Sequence, residues 1–422
     1  MFIKLRQAYF LSPYIASRIS SRTVLFTDIP KDYLGEELLG GVFPDVRSVW
    51  VVTDTKELQD LIEDRDKTAM KLEGAECKLS KDADKRRRKA KAPASETEDP
   101  KRWLDEKKRP THRLKPIIGQ KVDTIEWSRE HLSEVIPKIE QLQERHWNNK
   151  ESHVPAAFVE FETAEAAEEA FSRKITRMPK QMKPRAIGQK PTQIIWKNLS
   201  MSTTQRKLRK ALGTTFIVLL IIFWAIPVAF VGAVSNINYL ETISFLTWIR
   251  DVPQVILGVI TGLVPVILLA VIMALVPIII RQIAKLSGAC STGEVELYTQ
   301  KWYFAFQVVQ VFLVTTFTSG AAAVAKQIVN DPSMAVTLLG TSLPTASNFY
   351  INYFVLYGLA ISSKTLFNVA ALALYILLGK FLDTTPRKML NRYTTIPGIK
   401  WGSDYPVYTN LAVIGLFSQV ST

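Results

Sequence analysis

Cysteine is nearly absent: the 422 residues carry two, Cys77 and Cys290, too few for a disulfide framework. The four histidines, at 112, 131, 146 and 153, all lie in the first half and lack metal-ligand spacing. There is no Walker A loop, no potassium-filter sequence and no arginine at every third position of an apolar run. Nothing places a nucleophile beside a base, so the chain is not read as an enzyme, and it calls for no metal and no cofactor. The most informative shortage is of charge. Residues 211–422 hold 11 Lys+Arg and 7 Asp+Glu, against 42 and 32 in residues 1–210. A chain divided in this way meets two environments, water and then lipid.

A helix needs about 20 apolar residues to cross a bilayer core. Spans are predicted at about 212–234, 252–280, 302–325 and 346–379, with a shorter charge-free tail at 405–422. Pro253, Pro265 and Pro277 suggest that the second is broken or curved. Segments flanking these spans alternate in basic content. Three of them total 13 Lys+Arg, and the two between them carry only Arg250 and Lys326. The positive-inside rule therefore places residues 1–210, the 281–301 loop and the 380–400 loop in the cytosol.

In the first half, TVLFTDIP reads as strand, GEELLGGVF as helix and VRSVWVVTD as strand. Later come the strand AAFVEFE, the helix TAEAAEEAFSR and a strand over PTQIIWKNL. This order predicts a ferredoxin-like α+β domain, similar to RNA-recognition folds, over residues 23–197. Two helical patterns interrupt it within an insertion at 56–150. RNA binding by such a sheet needs stacking aromatics. Here Ala156 and Leu25 replace two of the three, leaving Phe158, so no nucleic-acid partner is expected.

Residues 81–121 hold 15 Lys+Arg and 7 Asp+Glu and read largely as a solvated tip. Its later part, with Trp103, Lys107, Lys108, Arg109, Arg113 and Lys115, is instead expected to touch the anionic cytosolic leaflet.

Polar residues inside the spans are the candidates for function, because polarity in lipid is costly. Tyr350, Tyr353, Tyr357, Lys364 and Asn368 share a stripe about 60° wide at about 100° per residue, and Gly358, next to Tyr357, is taken with them. Gln307 and Gln310 share a face of the third span. Pore lining is one reading of these eight residues, and hydrogen bonding between helices is the other.

The runs GLVPVILLAVIMALVPIIIRQIAKLSG, VELYTQKWYFAFQVVQVFLVTT, SNFYINYFVLYGLAISS, GKFLDTTPRKMLNRY and SRTVLFTDIPKDY resemble fungal members of the OSCA/TMEM stress-gated cation channel family. The resemblance implies a multi-pass α-helical membrane protein with an inserted cytosolic domain. It implies calcium-permeable, nonselective cation conduction gated by membrane tension or hyperosmotic stress, with a homodimer as one assembly. On this reading residues 1–22 follow a missing span, 198–422 form a partial channel region, and the chain is a truncated form. A scramblase or transporter on the same scaffold and a non-conducting subunit are the alternatives. Lys364 departs from the small or acidic residue that the resemblance implies there, and would oppose cation passage if it faced a conduit.

Overall fold

The computed structural model describes residues 2–91, 109–114, 119–148, 153–172, 182–234, 254–316, 331, 334–367, 372, 375–376, 379, 383–395, 398 and 400–420. The chain forms two compact units. One comprises Met1–Val52, Pro155–Gly358 and Ile399–Thr422, and the other Thr53–Val154 and Leu359–Gly398. Six strands are described: β1 (Thr23–Thr27), β2 (Val46–Thr53), β3 (Thr111–Arg113), β4 (Lys121–Asp123), β5 (His153–Phe161) and β6 (Lys183–Ile187).

The first unit opens with two short helices, α1 (Phe2–Phe10) and α2 (Pro13–Ala16), that lead into a four-stranded sheet in the order β2-β5-β1-β6. β1 pairs antiparallel with both β5 and β6. Two further helices, α3 (Glu36–Gly40) and α6 (Ala164–Ser172), contribute Leu39, Ala167 and Ala170 to a core with Val24, Phe26, Phe43, Val159 and Phe161. Phe43 is central there, 4.8 Å from Phe26 and 5.8 Å from Phe161 between ring centroids. Burying each of these rings contributes about 1.5–3 kcal/mol.

The last strand is not where the sequence pattern puts it. Residues 191–199 form 3-10 turns at Pro191–Gln193 and Trp196–Asn198, and the strand is Lys183–Ile187. Pro191 has no amide to donate to a ladder, and Ile194 bridges to Ser291 instead. Pro184 argues against a strand in the sequence, yet β6 lies at the sheet edge, where proline is tolerated.

Beyond the sheet the unit is helical. Ser202 caps α7 (Thr203–Ile222) by accepting from the Gln205 amide, and α8 (Ala225–Val234) follows after a break at Phe223-Trp224. The next helix, α9 (Gln254–Leu286), is continuous through Pro265 and Pro277, so of the two expectations, a break or a curve, no break occurs at these prolines. Membrane helices accommodate proline because neighbouring groups satisfy the freed backbone. Its C-terminal end is held by Asn198, whose amide donates to the Lys285 and Ala289 carbonyls at 2.8 and 2.7 Å. Ser291 caps α10 (Thr292–Gln307), which runs on as a π turn over Val308–Leu313. α11 (Met334–Phe367) starts twelve residues before the predicted 346. Two stretches, Thr203–Val228 and Ile267–Leu286, are long and apolar enough to cross a membrane by length and composition among the described residues.

The second unit is built on α4 (Lys56–Lys89) and α5 (Thr124–Trp147), which run antiparallel. Thr53, just before α4, meets His146 at 3.0 Å, while Glu76 meets Arg129 at 2.8 Å. Asp123 caps α5, and His131 contacts Asp64 at 2.6 Å. Against α4 lies α12 (Pro386–Thr394), the segment between the fourth and fifth predicted spans. Arg387 pairs with Glu73 at 3.1 Å, and Lys81 donates to the Thr384 carbonyl at 3.3 Å.

Candidate functional site: a polar seam in the helical bundle

Three helices meet in two stacked apolar clusters: α10 with its π turn, α11, and α13 (Trp401–Val420). The first cluster gathers Tyr303, Phe306 and Val407 with residues of α7 and α9, and Tyr357 packs on it. The second gathers Phe312, Tyr350 and Ile414, with Tyr353 against it. Asn410 lies three residues after Val407 and four before Ile414, so helical spacing puts it on the stripe that joins the clusters. Its amide is fully buried, and neither amide atom has a partner among the described residues. Gln307 is likewise buried. It hydrogen-bonds with Tyr303, while its Oε1 has no partner among the described residues. A buried polar atom left unmet costs about 1–3 kcal/mol, so two such amides in one seam are not what packing alone would select.

The candidates from sequence divide. Tyr350 is buried, and its hydroxyl is 2.6 Å from Thr316 Oγ1 and donates to the Phe312 carbonyl at 2.9 Å. It therefore ties α11 to α10. Tyr353 and Tyr357 are half-buried, with ring centroids 5.3 Å apart, and both lie near Tyr303. Tyr357 also lies near Tyr408 and Asp404. Gly358 is exposed, with nothing within 4 Å of where a Cβ would sit. Gln310 falls in the π turn and donates to the Ile221 carbonyl at 2.6 Å, meeting a carbonyl of the last turn of α7. Lys364 is on α11, but its side chain, like Asn368, lies outside the described residues.

At one end of the seam Glu296 collects two groups, and one of them reaches a third. Arg281 Nε approaches it at 2.6 Å, the Gly402 amide donates to it at 3.0 Å, and Arg281 also donates to Ser403 Oγ at 3.1 Å. Gly402 is required there, because a Cβ would sit 2.5 Å from the Glu296 carbonyl oxygen. Sequence reasoning passed over Asn410, Asp404 and this network. Asn410 could have been found as the amide inside the apolar part of the charge-free tail, ahead of its polar end.

Of the expected membrane-surface residues, Trp103, Lys107, Lys108 and Lys115 lie outside the described residues. Arg113 is exposed on β3. Arg109, just before β3, is ion-paired with Asp123 at the end of β4 and with Glu126 on α5, each at 2.8 Å. Phe158, the one retained stacking ring, lies 5.6 Å from Trp196, which covers it from the same chain.

Comparison with known proteins adds to this geometry. Residues 209–421 match the family described as "Calcium-dependent channel, 7TM region, putative phosphate", and residues 21–198 match "Cytosolic domain of 10TM putative phosphate transporter". The chain is 41% identical over 421 residues to the RSN1 protein of Saccharomyces cerevisiae, covering 98% of this chain and 44% of that protein. It is 38% identical over 423 residues to phosphate metabolism protein 7 of the same yeast, covering 96% of this chain and 42% of that one. It is 28% identical over 301 residues to hyperosmolality-gated Ca2+ permeable channel 3.1 of Arabidopsis thaliana, covering 67% of this chain and 40% of that channel. The chain thus spans less than half the length of these relatives.

Proposed function

We propose, since this chain belongs to the calcium-dependent channel family and matches both its membrane region and its cytosolic domain, that its helical bundle walls part of a calcium-permeable cation conduit. The single observation that carries this reading is the seam of Gln307 and Asn410, buried amides on two helices with polar atoms unmet among the described residues. Water or a cation passing along the seam would meet those atoms, and the rings of Tyr353 and Tyr357 flank the path. Carbonyl and amide oxygens suit a hydrated cation held weakly enough to leave again. Asp404, near Tyr357, would raise the local cation concentration at one mouth. Gating by osmotic stress is supported by the resemblance and by the hyperosmolality-gated plant relative, and gating by membrane tension by the resemblance alone.

The domain division proposed from sequence accompanies this reading. Residues 23–197, less the insertion, form the cytosolic domain, and residues 198–422 contribute spans. The order β2-β5-β1-β6 supports a ferredoxin-like sheet, and the cover of Trp196 over Phe158 supports one that does not take up RNA.

Thiol accessibility tests the seam without requiring conduction. In a background lacking Cys77 and Cys290, Gln307→Cys, Tyr357→Cys and Asn410→Cys are exposed in native membranes to a charged, membrane-impermeant methanethiosulfonate. Modification of all three, with Ile217→Cys in the apolar core left untouched, is expected. If none of the three reacts while an exposed control cysteine does, the seam is dry packing and the proposal fails.

A further inference from the structure

A second concave site lies where the sheet edge meets the start of α7. Its volume is about 200 Å³, several times the ~30 Å³ share of one water. Five cations line it, Lys183, Arg185, Arg206, Lys207 and Lys210, against two carboxylates, Asp28 and Glu294. The carboxylates are already taken. Asp28 Oδ1 accepts from Thr203 at 2.9 Å and from Arg206 at 3.3 Å, and Glu294 pairs with Arg185 at 3.4 Å. Lys183, Lys207 and Lys210 have exposed side chains and no ion pair among the described residues. The cleft therefore keeps a local excess of three positive charges.

Arg206 is the built part of the site. It is 8% exposed, and its terminal nitrogens reach Asp28 and the Asn198 and Met201 carbonyls. Its Nε has no partner among the described residues, nor does the Nε of Arg185. Gly288, at φ +89°, lets the chain pass over it, because a Cβ there would come within 3.0 Å of Arg206 Cγ. Asp28 is itself held at φ 60°, an uncommon backbone setting for a non-glycine residue, as it braces Arg206. Burying a guanidinium and keeping a donor unspent is costly unless a ligand uses it.

The depth of the cleft indicates which ligand. Lys207 and Lys210 stand at the start of one membrane-crossing stretch, and Ser287 and Gly288 directly follow the end of the other. Both ends adjoin the segment matched by the family's cytosolic domain, which stops at residue 198. The cleft thus opens at the level of lipid headgroups on the cytosolic side. Three uncompensated charges suit a phosphate monoester, which carries about −1.5 to −2, better than the single diffuse charge of a phosphodiester. Arginine donors in a fixed fork with nearby lysines are the usual means of holding it.

We infer that this cleft binds a phosphate monoester, supplied by the headgroup of a phosphorylated inositol lipid in the cytosolic leaflet. The inference does not depend on conduction through the seam. It is tested on the full 422-residue chain, purified in detergent and titrated separately with dioctanoyl phosphatidylinositol 4-phosphate, dioctanoyl phosphatidylserine and inorganic phosphate. The inositol lipid is expected to bind at least about tenfold more tightly than the serine lipid. The variant Lys183→Gln/Lys207→Gln/Lys210→Gln should lose about tenfold or more in affinity for the inositol lipid, with an unchanged melting temperature. Arg206→Lys, which keeps the charge and removes the fork, should weaken binding again. Equal affinity for both lipids, or undiminished binding by the triple variant, overturns the site. Binding of inorganic phosphate without binding of the inositol lipid keeps the phosphate site and overturns the lipid as its source.

Discussion

Arg281 and Glu296 face each other with Nε and Oε1 2.6 Å apart, joining α9 to α10 at the point where α13 begins. Both side chains are mostly buried, at 14% and 19% exposure, so neither charge is fully repaid by water if its partner is lost. Glu296→Ala removes the ion pair and the acceptor of the Gly402 amide together, and is expected to destabilise the bundle by about 2–4 kcal/mol. Glu296→Gln keeps an acceptor and should cost less. Thermal unfolding in detergent checks the order, and equal losses for the two variants would show that the acceptor kept by glutamine contributes nothing.

Two glycines should respond to alanine in opposite ways. Gly402→Ala places a Cβ 2.5 Å from the Glu296 carbonyl oxygen, a backbone atom that cannot step aside. A loss of about 1–3 kcal/mol follows from the overpacking. Gly358→Ala meets nothing within 4 Å, and alanine is favoured over glycine inside a helix by about 1 kcal/mol. The same unfolding measurement on both variants should give a lowered melting temperature for the first and an unchanged or raised one for the second.

Asn410→Leu should improve stability and damage function. Leucine removes two polar atoms without partners among the described residues and fills the same volume with apolar contacts. The gain is on the order of 1–3 kcal/mol. If the seam carries cations, calcium uptake by liposomes containing the variant in a conducting assembly should fall well below that of the parent. A variant that is less stable, or one that conducts equally, would show that Asn410 serves packing.

The hairpin beside α5 is expected to be sensitive to acid. Burial lowers the pKa of His112, and the nearby Lys71 lowers it further. Its ring packs edge-on to Trp127 and contacts Thr124 Oγ1 at 3.1 Å. The unfolded chain takes up this proton more readily than the folded one. The stability contributed by the neutral ring is therefore present above the ordinary histidine value of about 6.5 and is lost as pH falls toward the lowered one. Hydrogen exchange of the 119–148 segment should quicken as pH drops through this window, after correction for intrinsic rates, and His112→Gln should flatten the response.

The seam and the basic cleft differ in how far they could be read from sequence. Tyr353, Tyr357 and Gln307 stand out because polar residues in long apolar runs are few, and helical spacing puts the tyrosines on one stripe. Gln310 stood out by the same rule, but the spacing could not show that a π turn would aim it at the Ile221 carbonyl. Asn410 was overlooked because a single amide has no periodicity to betray it.

Composition and periodicity by themselves determined that the first half folds in water and the second is built of apolar helices. Charge density and the repeat of apolar residues are local quantities that need no knowledge of contacts. They also located α4, α5 and most of the sheet. The edge strand was decided by tertiary structure, since β6 tolerates Pro184 only because no strand pairs on its outer side. So were the neighbours of Asn410, and the meeting of Arg185, Arg206 and Lys210 in one cleft. These depend on residues far apart in the chain, brought together by sheet pairing and helix packing, and nothing in the local sequence specifies which of them will touch.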